Sequence, residues 1–196
     1  MRRDFKISTR IAAAAFGAAL LAAAPAAAGE FDAELTALAG DRIAKIAADP
    51  ALIDAIKAQN ERHAAFGEAD AVRLDGEWRA QVGAAEHPLI DSVVRSPVSA
   101  RLVQARDAAE GLFTEIIVMD RVGLNVATSD VTSDYWQGDE AKWQQTYAVG
   151  AGAMHISEIE FDESTQTYQS QVSVTVTDSS GAPIGAITVG VNVEFL

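Results

Sequence analysis

The sequence predicts an α+β domain in which a helical N-terminal half packs on a five-stranded antiparallel sheet. Three observations carry this. Apolar residues recur at helical spacing from Glu30 to about Ala109; the period changes to two after Gly111; and the strand-like runs form two hairpins separated by an aromatic-rich insertion. With 196 residues, 49% of them hydrophobic and 22% charged, the chain has the composition of one ordinary globular domain.

The first segment reads as an address. Arg2, Arg3, Lys6 and Arg10 precede an uncharged stretch from Ile11 to Ala24, and Pro25-Ala26-Ala27-Ala28 supplies small residues suited to a signal peptidase. The apolar run falls short of the ~18 residues that span a bilayer, so residues 1–28 are expected to be a secretory signal cut after Ala28. Arg2-Arg3-Asp4-Phe5-Lys6 also resembles a twin-arginine signal. Either route places the protein outside the cytoplasm, in the periplasm of a Gram-negative bacterium.

Residues 29–111 are expected to form the helical part. Phe31, Leu35, Leu38 and Ile46, with Ile43 on the adjoining stripe, make one long amphipathic helix. Asp49-Pro50 is a cap followed by proline at the first helical position, and Leu52, Ile53 and Ile56 continue the apolar face. Asp70 is positioned to cap a helix with Ala71, Leu74, Trp78 and Val82 inside, and Ser96-Pro97 repeats the cap-then-proline signal before Val98, Leu102 and Ala105.

Residues 112–196 are expected to form the sheet. Thr114 to Met119 and Leu124 to Thr128 are joined by the turn Asp120-Arg121-Val122-Gly123. Tyr168 to Thr177 alternates Val172, Val174 and Val176 with Gln171, Ser173, Thr175 and Thr177, then turns through Asp178 to Pro183 into Ile184 to Phe195. Between the hairpins lies the insertion 129–154, with a helix expected over Asp139 to Ala148, and a middle strand over His155 to Phe161.

Charge and composition exclude several functions. The 15 bases against 28 acids give a net charge of −13; without residues 1–28 it is −16, a field that repels phosphate backbones, so no nucleic-acid partner is expected. Zero cysteines remove disulfides, thiol nucleophiles and thiolate metal sites. The H-E-x-x-H, G-x-S-x-G and phosphate-loop patterns do not occur, and Gly150-Ala151-Gly152 lacks a dinucleotide fingerprint's third glycine, so no enzyme and no cofactor is expected. His63, His87 and His155 would have to meet through folding to hold zinc, and Asp130, Asp134 and Asp139 do not have EF-hand spacing.

The insertion carries the candidate pocket. Tyr135, Trp136, Asp139, Lys142 and Trp143 put flat apolar walls, a carboxylate and an ammonium within nine residues. If Asp139 begins a helix, Lys142 and Trp143 share its face, a set suited to an amino acid or another zwitterion, and the two tryptophans could cage an amine. The plainer alternative is that Trp143 and Tyr147 are core contacts and Asp139 only a cap. On the sheet, Gln171, Ser173 and Thr175, with Thr188 and Asn192, would form either the pocket floor or a solvated face; the turn residue Arg121 stands at its edge.

Three stretches resemble the extracytoplasmic PAS-like sensor domains known as Cache or PDC domains. Ile116-Ile117-Val118-Met119-Asp120-Arg121-Val122-Gly123-Leu124-Asn125-Val126-Ala127-Thr128-Ser129 resembles the family's first hairpin. Tyr135-Trp136-Gln137-Gly138-Asp139-Glu140-Ala141-Lys142-Trp143 is similar to its pocket wall, and Val176-Thr177-Asp178-Ser179-Ser180-Gly181-Ala182-Pro183-Ile184-Gly185 to its closing hairpin. The resemblance implies a PAS-like sheet and a small organic ligand: an amino acid, amine or carboxylate. The family usually forms the outer half of a membrane receptor. This chain carries neither a second membrane helix nor an output module, so the expectation is a free-standing single Cache domain that signals through a separate membrane receptor or kinase partner. The rival reading is a structural or interaction protein that fills its own pocket and forms a homodimer along the N-terminal helix. A cavity of ~300 Å³ between insertion and sheet separates the two.

Overall fold

The computed structural model describes residues 29–163 and 165–196; the expected export signal lies outside the described residues. Asp32–Leu38 (α1), a π-helical segment Ala39–Ile43 and Ala44–Ala47 (α2) run as one helical stretch. Its buried residues Leu35, Ala39 and Ile43 are four apart. In a regular α-helix that spacing drifts about 40° around the axis; the wider π turn holds the three side chains over the sheet.

Two caps form as the local sequence dictates. Asp49 Oδ1 accepts from the Ala51 N–H at 2.8 Å ahead of Pro50–Arg62 (α3), and Ser96 Oγ accepts from the Ser99 N–H at 3.0 Å ahead of Pro97–Asp107 (α6). A third differs from expectation. Helix α4, Glu68–Gln81, is capped at Gly67, and Asp70 is its third residue, accepting from the Gly67 N–H at 3.1 Å. Val82 then falls at the exposed C-terminal end, while Ala71 and Trp78 are buried as expected. Helix α5, Pro88–Val94, completes the helical half.

Among the described residues six strands follow: β1 Phe113–Met119, β2 Asn125–Thr128, β3 Met154–Ile156, β4 Glu160–Asp162, β5 Thr167–Thr177 and β6 Pro183–Asn192. All pair antiparallel in the order β2-β1-β6-β5-β3, with β4 also on β5. The α+β class holds, but two details change. The single middle strand expected over His155 to Phe161 is two short strands, because Ser157–Ile159 leaves the ladder while both flanks pair with the long β5. The last strand stops at Asn192, whose side chain caps a 3₁₀ turn at Val193–Phe195.

Alternation divides the sheet into two chemistries. Ile116, Val118, Val172, Val176, Ile187, Val189 and Val191 join Leu35, Ile43, Ile56 and Leu102 in the main core beneath the helices. The opposite face carries Glu115, Ile117 and Met119 from β1, Ala186 and Thr188 from β6, and Gln171, Ser173 and Thr175 from β5, paired across the strands. Gly185 lets β6 pass close to β1 and α3: a Cβ there would lie 2.1 Å from the Met119 carbonyl and 3.2 Å from Ile56 Cγ2. Gly185→Ala is therefore expected to destabilise the fold by roughly 2 kcal/mol or more, read as a lower urea midpoint with an unchanged slope.

Candidate functional site

The insertion is anchored by carboxylates from outside it. Asp75 of α4 accepts from the backbone N–H groups of Tyr135 and Trp136 at 2.8 and 3.2 Å and pairs with Arg79 Nε at 2.6 Å. Asp120, fully buried at the β1–β2 turn, accepts on Oδ1 from the Val122 and Leu124 N–H groups. On Oδ2 it accepts from Gln59 Nε2 at 3.0 Å and meets His63 Nδ1 at 2.7 Å. Its carbonyl accepts from Trp143 Nε1 at 3.1 Å. The turn also touches the insertion backbone to backbone: the Gln137 N–H donates to the Gly123 carbonyl at 2.7 Å, and a Cβ on Gly123, where φ is +90°, would sit 2.5 Å from Gly138 Cα.

The predicted site residues are placed in three groups. Tyr135 is buried in a second core, stacked on Trp78 with centroids 5.1 Å apart, and Trp136 beside it donates its indole N–H to the Val122 carbonyl. Asp139 is exposed. The insertion helix is only Ala141–Gln144 (α7), capped at Glu140, so the expected helix over Asp139 to Ala148 is shorter and Asp139 does not share a helical face with Lys142 and Trp143. Glycine at 138 explains this locally: its backbone passes against Trp136 and Val122, where a side chain would collide, and the chain becomes helical only beyond that contact.

The third group lies on the sheet. Trp143 and Tyr147 pack on Ile117, Met119 and Ala186, and Lys142 is buried with Nζ 3.0 Å from both Gln137 Oε1 and Glu140 Oε2. The sheet residues beside them form a polar strip. Ser173 and Thr188 share a hydrogen bond of 2.9 Å, Gln171 Nε2 donates to Glu115 Oε1 at 3.3 Å, and Thr175 Oγ1 is buried with no partner among the described residues. Burial pushes the Glu115 carboxyl above its ordinary range, against the opposing pull of Lys142 and the Gln171 hydrogen bond. Glu115 is the residue sequence reasoning missed. Its signal was available as a lone acid at an alternating position of an otherwise apolar strand.

The two larger cavities lie on the helical side of the sheet and not between insertion and sheet, where Trp143 and Tyr147 pack directly on Ile117, Met119 and Ala186. One of about 870 Å³ runs between the α1–α2 stretch, α3 and the end of β5, and one of about 440 Å³ lies between α3, the α5–α6 junction and β2, reaching Tyr135. Asn192 and Arg121 take structural roles: Asn192 caps the terminal turn, and Arg121 donates to the Asn60 side chain and the His63 carbonyl. Among the described residues, no three His, Asp or Glu side chains are placed to hold a metal ion, and no helix is long and apolar enough to cross a membrane.

No protein-family model and no curated protein matches this sequence. Solved structures similar to it are sensor domains of histidine kinases and chemoreceptors. The sensor domain of the Vibrio cholerae histidine kinase DctB is 13% identical, over 84% of this chain and 58% of that one, with a TM-score of 0.40. The sensory domain of the Campylobacter jejuni chemoreceptor Tlp3 is 14% identical, over 82% and 64%, with a TM-score of 0.40. The Pseudomonas fluorescens chemoreceptor CtaA domain bound to L-alanine is 12% identical, over 71% and 60%, with a TM-score of 0.37. The chain spans less than two thirds of each of these domains, and likeness of this degree transfers neither ligand nor partner.

Two outcomes follow from the geometry. Asp120→Ala leaves four donors without their acceptor in a buried site and is expected to cost roughly 3 kcal/mol or more of stability in a denaturant titration. For Glu115 the folded state favours the protonated carboxyl, so its contribution is present below the unfolded carboxylate range and lost as pH rises through the folded value. Glu115→Gln is accordingly expected to raise the melting midpoint at pH 7, and the gain should vanish near pH ~4.

Proposed function

We propose that this chain is an extracytoplasmic, non-catalytic sensor module of the Cache kind, binding a small amino acid or amine between its insertion and its sheet. The observation that carries this is the polar strip of Glu115, Gln171, Ser173, Thr188 and Thr175, flanked by Lys142 and Trp143. A largely buried carboxyl and an unpartnered hydroxyl on an antiparallel sheet face are unfavourable for folding alone, and with the Lys142 ammonium above them, held by Glu140 and Gln137, they suit a ligand carrying both charges. In this reading the ligand's ammonium group faces Glu115, its carboxylate faces Lys142, and its body lies against Trp143. Tyr135 and Trp136 hold the root of the insertion, and Asp139 stands at its rim.

Lys142 and Trp143 sit on a four-residue helix, so ligand entry lifts a small unit whose displacement a partner can read. The output passes to a separate membrane receptor or kinase, and the export signal read at residues 1–28 supports a periplasmic location. A homodimer along the α1–α2 stretch is the second reading. It is supported by the apolar 870 Å³ groove beside Ala39, Gly40, Ala44 and Ala47, and light scattering at micromolar concentration distinguishes monomer from dimer.

A thermal-shift screen against amino acids, amines and short carboxylates is expected to give a saturable rise with one ammonium-bearing compound. Thr175→Val should keep or raise the midpoint of the free protein, because it removes an unpartnered polar atom, while weakening the ligand shift. If no compound in the panel shifts the midpoint, or if Thr175→Val and Lys142→Met leave the shift intact, the reading fails.

A further inference from the structure

The cavity of about 440 Å³ on the helical side of the sheet has no role in that reading, yet its lining is chemically one-sided. Arg62, at the end of α3, faces it and makes no ion pair among the described residues. The N-terminus of α6, at Ser96 and Pro97, also borders it, so the positive end of an eleven-residue helix points the same way. Tyr135, only 4% exposed, lines the cavity, and its hydroxyl makes no hydrogen bond among the described residues. The phenol oxygen is not sealed in the core but opens into the cavity, where its O–H is free to donate to a ligand.

Two neighbouring acids are already engaged: Asp120 by Gln59, His63 and two backbone N–H groups, and Asp75 by the Tyr135 and Trp136 N–H groups and Arg79. No aspartate or glutamate lines the cavity, in a chain whose net charge is −13. Val93, Val98 and Val126 supply apolar wall, and Gln59, His63 and Ser92 supply neutral polar edges. A guanidinium, a phenol O–H and a helix N-terminus bordering one partly apolar chamber complement a carboxylate carried on a short hydrocarbon body.

We propose that this chain has a second ligand site, between α3, the α5–α6 junction and β2, that binds a small apolar carboxylate through Arg62 and Tyr135. The site is on the opposite face of the sheet from the amine site and does not depend on it. The ring of Tyr135 contributes its stacking on Trp78, so Tyr135→Phe removes the hydroxyl alone; Arg62 is exposed, so Arg62→Gln leaves the core untouched.

The test is calorimetric titration of the full chain with isovalerate, its neutral analogue isovaleramide, and inorganic phosphate. Saturable binding of isovalerate is expected, with isovaleramide and phosphate much weaker. Arg62→Gln should weaken isovalerate roughly tenfold and Tyr135→Phe about threefold. Circular dichroism melts of both variants, unchanged from the parent, exclude loss of fold as the cause. The proposal is overturned if isovalerate does not bind, if the amide or phosphate binds as well, or if both substitutions leave the affinity unaltered. L-alanine titrated onto the isovalerate complex separates the two sites: competition overturns the placement of this one, whereas failure of L-alanine to bind at all affects only the amine site.

Discussion

The structure depends on one buried carboxylate. Asp120 closes the turn between β1 and β2 through the Val122 and Leu124 N–H groups, and the same side chain receives Gln59 in the last turn of α3 and His63 at its C-cap. A carboxylate taken out of water needs several donors to offset its lost hydration, and here they come from two elements about sixty residues apart in sequence. Satisfying the charge therefore fixes the rotation of α3 and its position on the hairpin together. Asn60, next on the helix, extends the link by bridging the Arg121 N–H and the Ile184 carbonyl.

The two faces of the sheet follow from that placement. With α3 held at the turn, Ile56 sits over β6 at Gly185 and the valine and isoleucine face closes under the helices. The insertion then has the other face to cover, and its cover is mixed. Trp143 and Tyr147 supply apolar area over Ile117, Met119 and Ala186, while Lys142 enters with its charge matched by Glu140 and Gln137. Because Trp143 also bonds the Asp120 carbonyl, the turn that positions α3 positions the insertion as well. An unsatisfied hydroxyl remains at Thr175 under the insertion, and on the other side of this hub Tyr135 opens into the helical cavity. Local rules tend to be broken where a ligand can complete them.

Much of the element order was legible in the sequence. Asp49-Pro50 and Ser96-Pro97 start helices because cap and proline act within four residues, and the alternation of Val172, Val174 and Val176 assigns a face because the strand period is two. Asp70 and Asp139 were misplaced for a related reason. Each is an acid near a helix start, but Gly67 caps one helix, and a glycine contact delays the other. The split of β3 from β4 was not legible, since nothing local to Ser157–Ile159 says that the long β5 will pair on both sides of it.

The candidate site was legible in its parts and not in its grouping. The sequence by itself determined the α+β class, the hairpin turns, the polar character of Gln171, Ser173 and Thr175, and the aromatic content of the insertion, because these rest on interactions among near neighbours in the chain. Only the tertiary structure decided that Trp143 joins the sheet while Tyr135 and Trp136 join α4, that Glu115 reaches Gln171 across Gly190, and that Arg62 and Tyr135 face one cavity. Those contacts join residues tens of positions apart. Their energies become available only after Asp120, Asp75 and the main core have set the elements against one another, so no local periodicity could encode them.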